Sequence, residues 1–539
     1  MNSKVFQIMN EHIGKLKNLE VPIEKPNGEI MKNSPFFSSI YLQKRENYQI
    51  ELLNGSVLSY KEPEKMSPYL GRTEMRMGHP KKGGSVSYQE FYLPQNLQKI
   101  PCKEELEFAS TNAFWESAKD LERKISDTFG KPKEDMKEDF VYFSQEKPKT
   151  YFQEETSLDT KNIENFTKEL NKISKDIKKY KLIENVDISF GIDKEKKYFM
   201  NSQGSKIFLN NKLYKLKFEL TAKDERNKLV PHFFSLYTKK IPNINNIKNQ
   251  AYQTLRELEE ILKCPVEKGG VFPTILDSDN TGFLFHEVVG HSLEAHRIKE
   301  NEDEESNIFR DKLGDNIGPD FINLWDNPKL SSFNGKSLNG YYEFDEEGVE
   351  TQNTHLIKNG VLNEYLHSRE SAGFFGKNSN GHTRSSNGTS EPIPRMGNLI
   401  IKSSKPVSYK DLKERLMKEC KKQGKEYGIF LKGTTRGWTE VEEGDYATYP
   451  KQFFRIYKNG KTQRVRGVRL KGTPLQTLQN LDSMDNNHEI VNGNCGAESG
   501  IIPVAEVAPN SFSKSLEFNR VPSREYRKVY ESIFDKNKQ

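Results

Sequence analysis

Apolar positions in the first half of the chain recur with two periods. Residues 37 to 60 alternate apolar and polar around Asn54-Gly55, which predicts a β-hairpin. After Cys102, Phe114, Ala118, Leu121 and Ile125 keep one face of a helix that Gly130 ends. A second helix is expected over about 160–179, with the stripe Ile163, Phe166, Leu170, Ile173 and Ile177 and a cap at Asp159 or Thr160. Val186, Ile188, Phe190 and Ile192, then Leu216, Phe218 and Leu220, follow at strand period, with "NSQG" and "NNK" as turns. A third helix carries Ile247, Ala251, Leu255, Leu258 and Leu262 and stops at Cys264-Pro265. Lys268-Gly269-Gly270 then loosens the chain, and a domain boundary is expected there.

The second half patterns differently. "VFPTIL" reads as a strand, "DSDNTG" as a loop with capping residues, and "FLFHEVVGHSLEAH" as a helix. Asn-Gly pairs recur at 334–335, 359–360, 459–460 and 492–493, three of them between strand-like runs. "HLIKNGVLNEYL" and "FFRIYKNGKTQRV" predict hairpins, because Asn-Gly accepts the positive φ of a type I′ turn. One helix interrupts, capped by Ser408 with Asp411 completing a capping box and Gly424 ending it. The expected class is α+β. An N-terminal α/β-mixed domain (1–265) precedes a mainly antiparallel β domain with two helices (266–539).

Composition narrows the function. At 539 residues, with 34% hydrophobic and 11% aromatic side chains, the chain can bury more than one core. The net charge is only +6 from 83 basic and 77 acidic residues. Lysine runs alternate with Glu and Asp, as in "KNIENFTKELNKISKDIKK", which describes a solvated helix face rather than a nucleic-acid surface. Four cysteines are too few for a disulfide framework and suit a reducing compartment. "MNSKVFQIMNEHIGKLKN" lacks an apolar core and a small-residue cleavage site, so no signal peptide is expected. No apolar run reaches the length of a membrane span, and the cytoplasm is the expected location.

Candidate chemistry concentrates at residues 283–296, which hold three of the ten histidines. His286 and His291 are five residues apart. On a regular helix that step turns the second ring about 140° from the first, and the two cannot share one ion. A π-bulge would bring them together, and Gly290 offers no Cβ against the distortion. Glu287 would then stand beside the metal's water as general base. The alternative is a buried amphipathic helix with Phe283, Leu284, Val288 and Leu293 in the core and hydrogen-bonded histidines. Spacing does not choose between them. A third ligand could come from Glu294, His296 or a distant cysteine. Cys495, in the glycine-rich "NGNCGAESG", ranks slightly ahead of His296, whereas Cys420 falls on the core stripe Leu412, Leu416, Cys420.

Four ordered stretches carry a resemblance: the H-E-x-x-x-H of His286 to His291, "FDEEGVETQNTHLIKNGVLNEYL", "NGHTRSSNGTSEPIPRMGNLII" and "GNCGAESGIIPVAEVAPN". Over roughly residues 270–520 the chain resembles the TldD/PmbA family of metallopeptidases, in particular its metal-bearing TldD-type members. The first half resembles the family's N-terminal domain only loosely. The resemblance implies one Zn2+ per chain held by His286, His291 and Cys495, with Glu287 as catalytic base of peptide hydrolysis. It also implies a homodimer, or a heterodimer with a metal-free PmbA-type relative. Where family members often read Gly-Asp, this chain has Ala295-His296, which leaves His296 as a substrate-side candidate. Arg384 and Arg395 are further substrate-side candidates, with structural ion pairs as their alternative role. The expected substrate is a short or unfolded peptide held by strand addition to a sheet edge. Two rival roles are a family member that uses the metal only structurally and a nucleic-acid-associated regulator.

Overall fold

The computed structural model describes residues 3–61, 68–94, 97, 100–131, 140–157, 160–225, 227–300, 308–440 and 445–521. Its long strands come from the alternating segments. Phe37–Leu53 and Ser56–Lys61 form a hairpin, and Asn54 and Gly55 take φ of 53° and 79° as a type I′ turn requires. Phe37–Leu53 lies centrally in an antiparallel sheet whose order is Leu229–Thr238, Lys206–Lys223, Ile183–Asn201, Phe37–Leu53, Tyr69–His79, Gly83–Leu93. Helices Thr160–Lys178 and Ile244–Lys263 bury their predicted stripes against it. Helix Ile100–Asp127 begins slightly before Cys102 and packs through Phe114, Ala118 and Leu121. Asp159, proposed as a cap, lies outside the described residues. "NNK" is not a turn. Asn210, Asn211 and Lys212 run through Lys206–Lys223, paired with Asn185–Met200, and Asn210 spends its polarity on Gln153 and Thr156.

After Gly269 and Gly270, both at positive φ, two further large sheets form beside small two-stranded ones. One runs Gly270–Leu276, Tyr427–Glu440, Asp445–Tyr457, Val468–Gly472, Ser511–Arg520, Leu481–Met484. The other runs Val361–Leu362, Thr354–Lys358, Ile322–Asp326, Asn398–Ser403, Gly500–Ala508, Glu489–Ala497. Pairing is antiparallel except between Gly270–Leu276 and Tyr427–Glu440 and between Asn398–Ser403 and Gly500–Ala508. The fold is α+β, as its patterning predicts.

Local differences have local causes. Asn334-Gly335 and Asn359-Gly360 adopt the left-handed pair of a type I′ turn. At Asn459-Gly460 only the glycine does, and the hairpin closes through a longer loop with Tyr457 N–H donating to Lys461 O. Asn492-Gly493 is no turn at all but part of the strand Glu489–Ala497. "DSDNTG" is mostly helix: Asp277 is the cap, and Ser278–Phe285 follows. Helix Tyr409–Lys422 has the expected Ser408–Asp411 capping box. Short helices Arg369–Phe374 and Pro474–Gln479 add to the two expected, too brief for periodicity to reveal. Among the described residues no helix is long and apolar enough to cross a membrane.

Candidate metal centre

The segment Ser278–Leu293 crosses the largest core cluster, and its sequence dictates two faces. Leu284, Phe285, Val288, Val289 and Leu293 are all fully buried on one of them. The polar residues take the other, which the α-helix alone could not align. At Phe285 the helix gives way to a π-turn over His286–Gly290, and the His291 N–H donates to the His286 carbonyl five residues back. A 3-10 turn, His291–Leu293, follows. The widened turn sets the two imidazoles 5.0 Å apart, ring centre to ring centre and nearly perpendicular. Gly290 is where the neighbouring chain comes close: a Cβ there would run into the Met396 thioether.

The third group arrives from the sheet. Cys495 sits on Glu489–Ala497, the last strand of its sheet, opposite Ile502. Its Sγ lies 3.2 Å from His286 Nε2 and 3.3 Å from His291 Nε2. One donor atom from each of the three residues falls within 4.8 Å of the others. The other ring nitrogens are occupied by carboxylates. His286 Nδ1 meets Glu506 Oε1 at 2.8 Å, and His291 Nδ1 meets Glu294 Oε2 at 3.3 Å. Such carboxylates fix ring orientation and tautomer, and they raise imidazole basicity.

Charge follows the geometry. Burial opposes an ionised Cys495, yet the facing His291 and His286 hold its thiol well below its ordinary value. Burial likewise opposes charge on His291, but Cys495 and Glu294 lift it to about 10. The cluster therefore favours a thiolate, the form that ligates metals. Burial pushes Glu287 up, against the pull of His286 and His291. The strand Tyr427–Glu440 covers this glutamate so closely that a Cβ on Gly437 would lie 2.5 Å from its Oε1.

These groups open onto a cavity of about 630 Å³. Its walls include His286, Glu287, His291 and the whole stretch from Val491 to Glu498. Phe233, Ser235 and Tyr237 close it from the outermost strand of the first sheet.

The other candidates lie elsewhere. Arg395 is fully buried behind Cys495, donating to its carbonyl at 2.9 Å and its Sγ at 3.2 Å. Arg384 donates to the carbonyls of Met396 and Pro503 and stacks on Tyr342. Neither lines the cavity, and neither does His296. His296 is buried, neither ring nitrogen takes a hydrogen bond from the described residues, and burial lowers its pKa to about 4. Glu294, open as a third ligand on spacing, instead braces His291. Glu506 was not legible in the sequence: its only cue is a charged residue within the apolar run "IIPVAEVA", 220 positions from its partner.

Residues 269–512 match the family model of the PmbA/TldA metallopeptidase C-terminal domain. A metalloprotease of Methanocaldococcus jannaschii is 31% identical over 262 residues, 49% of this chain and 54% of that protein. A zinc metalloprotease TldD homolog of Saccharolobus solfataricus is 25% identical over 257 residues, 48% of this chain and 53% of its own. The matched stretch thus spans about half the length of these relatives. Over 90% of the chain and 97% of the other, the fold is similar to that of TldE from Thermococcus kodakarensis, with a TM-score of 0.62 at 14% identity.

Proposed function

Because the chain belongs to the PmbA/TldD family through residues 269–512, we propose that it is a zinc-dependent peptidase acting on short or unfolded peptides. One observation carries this: two carboxylate-braced imidazoles and a thiolate converge beside a buried glutamate at the wall of a large cavity. The donor set suits zinc, which takes three protein ligands in catalytic sites and keeps one position open. His286, His291 and Cys495 would hold one ion. When bound, it polarises a peptide carbonyl and acidifies water.

Glu287 does the proton work. Its carboxyl is raised by burial, toward the range where it can both accept a proton from water and return it to a leaving amine. Gly437 gives the Glu287 carboxylate room, since a Cβ there would lie 2.5 Å from its Oε1. Arg395 keeps negative charge on the sulfur by donating to it. Glu506 and Glu294 hold the ring orientations.

An extended substrate fits the strand Glu489–Ala497, which ends its sheet and carries small residues at Gly493, Gly496 and Ala497. A peptide added there forms main-chain hydrogen bonds with little side-chain crowding. The division into 1–265 and 266–539 belongs to this account, the first part supplying one cavity wall through Phe233, Ser235 and Tyr237. So do a cytoplasmic setting, which the unpaired cysteines suit, and dimerisation with itself or a metal-free relative.

A metal used only to brace the fold would have no use for Glu287. Replacing Glu287 by Gln is expected to leave zinc content intact and to abolish hydrolysis of a denatured protein substrate. Undiminished hydrolysis would reject the enzyme assignment.

A further inference from the structure

A buried guanidinium group needs an acceptor for each of its nitrogens. Arg76 has them in Glu74, Glu370 and Tyr88. Arg464 does not. Its side chain is 13% exposed, and Nη2 pairs with Glu260 at 2.8 Å. Nε and Nη1 are buried and meet no acceptor, and among the described residues it is the one arginine with two such nitrogens. Glu260 is itself 63% exposed, so the one pair contributes little. Arg466, two residues on, repeats the shortfall. Its Nε is buried and unpartnered among the described residues, and its Nη2 reaches Asp224 only at 3.5 Å.

Both arginines line a pocket of about 290 Å³ where the two halves of the chain meet. Strand Leu229–Thr238 and the end of helix Ile244–Lys263 form one side, and strands Asp445–Tyr457 and Thr462–Val465 the other. Four cationic side chains, Lys217, Lys451, Arg464 and Arg466, stand on its walls against one carboxylate, Glu219. Lys217 takes that carboxylate at 2.7 Å. His232, also on the wall, is turned to Glu257. The Lys451 ammonium lies over the Phe233 ring and makes no ion pair among the described residues. Burial holds it below its ordinary value, although Asp279 and Glu257 pull it upward. Cations taken out of water without full compensation are costly, and an anion placed among them relieves that cost. Val230, Pro231, Phe453 and Val468 make the rest of the wall apolar.

We propose that this pocket is a second ligand site, for a small molecule that carries a carboxylate or phosphate on an apolar body. Arg464, Arg466 and Lys451 receive the anionic group, since guanidinium nitrogens suit carboxylate and phosphate oxygens equally. The apolar body lies against Val230, Pro231, Phe453 and Val468. The volume is that of a small-molecule site rather than of a protein segment. Neither arginine lines the cavity at the metal centre, so the site stands without the peptidase reading.

Zinc-loaded full-length protein is titrated calorimetrically with phenyl phosphate, phenylpropionate and the neutral phenylpropionamide. At least one of the anions is expected to bind about tenfold tighter than the amide. Tighter binding of phenyl phosphate assigns the site to phosphate esters, and tighter binding of phenylpropionate assigns it to carboxylic acids. Arg464→Gln is expected to weaken the anion about tenfold and to leave the amide unchanged. Undiminished anion binding by Arg464→Gln places the anion elsewhere, the metal included, and overturns the proposal. Equal binding of anion and amide by the wild type overturns it too. Hydrogen exchange on the wild type needs no variant and holds even if Arg464→Gln does not fold. The bound anion is expected to slow exchange across residues 462–468, and unchanged exchange there defeats the site. Neither experiment reads peptide hydrolysis, so the second site and the peptidase reading can each fail alone.

Discussion

Gly437 shows how much depends on single residues at this site. It lies on a strand remote in sequence from Glu287, yet its missing Cβ is the space the carboxylate occupies. Gly437→Ala is expected to lower kcat by about a hundredfold, since displacing a reacting group by about 1 Å can cost that much. Zinc content should be unchanged; a variant with full activity would show that Glu287 needs no such placement. Glu506→Gln should instead weaken zinc binding by about 10–100-fold, read by competition with a chelator, because it loosens the His286 ring. The histidines, Glu287 and Cys495 could be nominated from the sequence because each sits in a short segment with its own glycine or spacing cue. Glu506 and Gly437 could not, since their partners are fixed only by how sheets and helix cross.

Elements were legible in proportion to how local their causes are. The Ser408–Asp411 capping box, the apolar stripes and the Asn-Gly turns at 54–55, 334–335 and 359–360 depend on adjacent residues and formed as patterned. Asn492-Gly493 has the same local signal, but pairing with Ala505 and Val504 draws it into a strand. The π-turn is the converse case, a local distortion held by distant packing. Gly290→Ala must displace Met396 and is expected to cost about 1–3 kcal/mol, measured by chemical denaturation. An unchanged midpoint would mean that Met396 moves freely. A second element contact is titratable. Glu257 on helix Ile244–Lys263 meets His232 on the neighbouring strand at 2.8 Å. Burial opposes its charge, but the His232 and Gln253 hydrogen bonds lower the carboxyl from 4.5 to about 2. The folded value being the lower, this stabilisation is complete above about pH 4.5 and is lost as pH falls toward about 2. Thermal melts of Glu257→Gln should therefore differ from wild type at pH 7 and converge at low pH; a constant difference would count against the contact.

At the scale of the molecule, the first half is more than an appendage. Its outermost strand walls the cavity, and a buried polar cluster ties it to the second half. Glu346 accepts from Arg72 at 3.3 Å, Lys197 at 2.8 Å and Tyr41 at 3.1 Å. Arg72 and Glu346 are both buried, so Glu346→Ala leaves Arg72 charged with its partner gone and should cost about 3–5 kcal/mol. Little of this could be read from "FDEEGVE", where three consecutive acids look like solvated surface until the fold buries them. The whole account converges on one ion held by two rings and a sulfur. X-ray absorption at the zinc edge of purified full-length protein tests that most directly. The account predicts one zinc per chain with a single sulfur at about 2.3 Å and two imidazole nitrogens at about 2.0–2.1 Å. Zinc with only oxygen and nitrogen neighbours, or protein that retains no zinc, would contradict it.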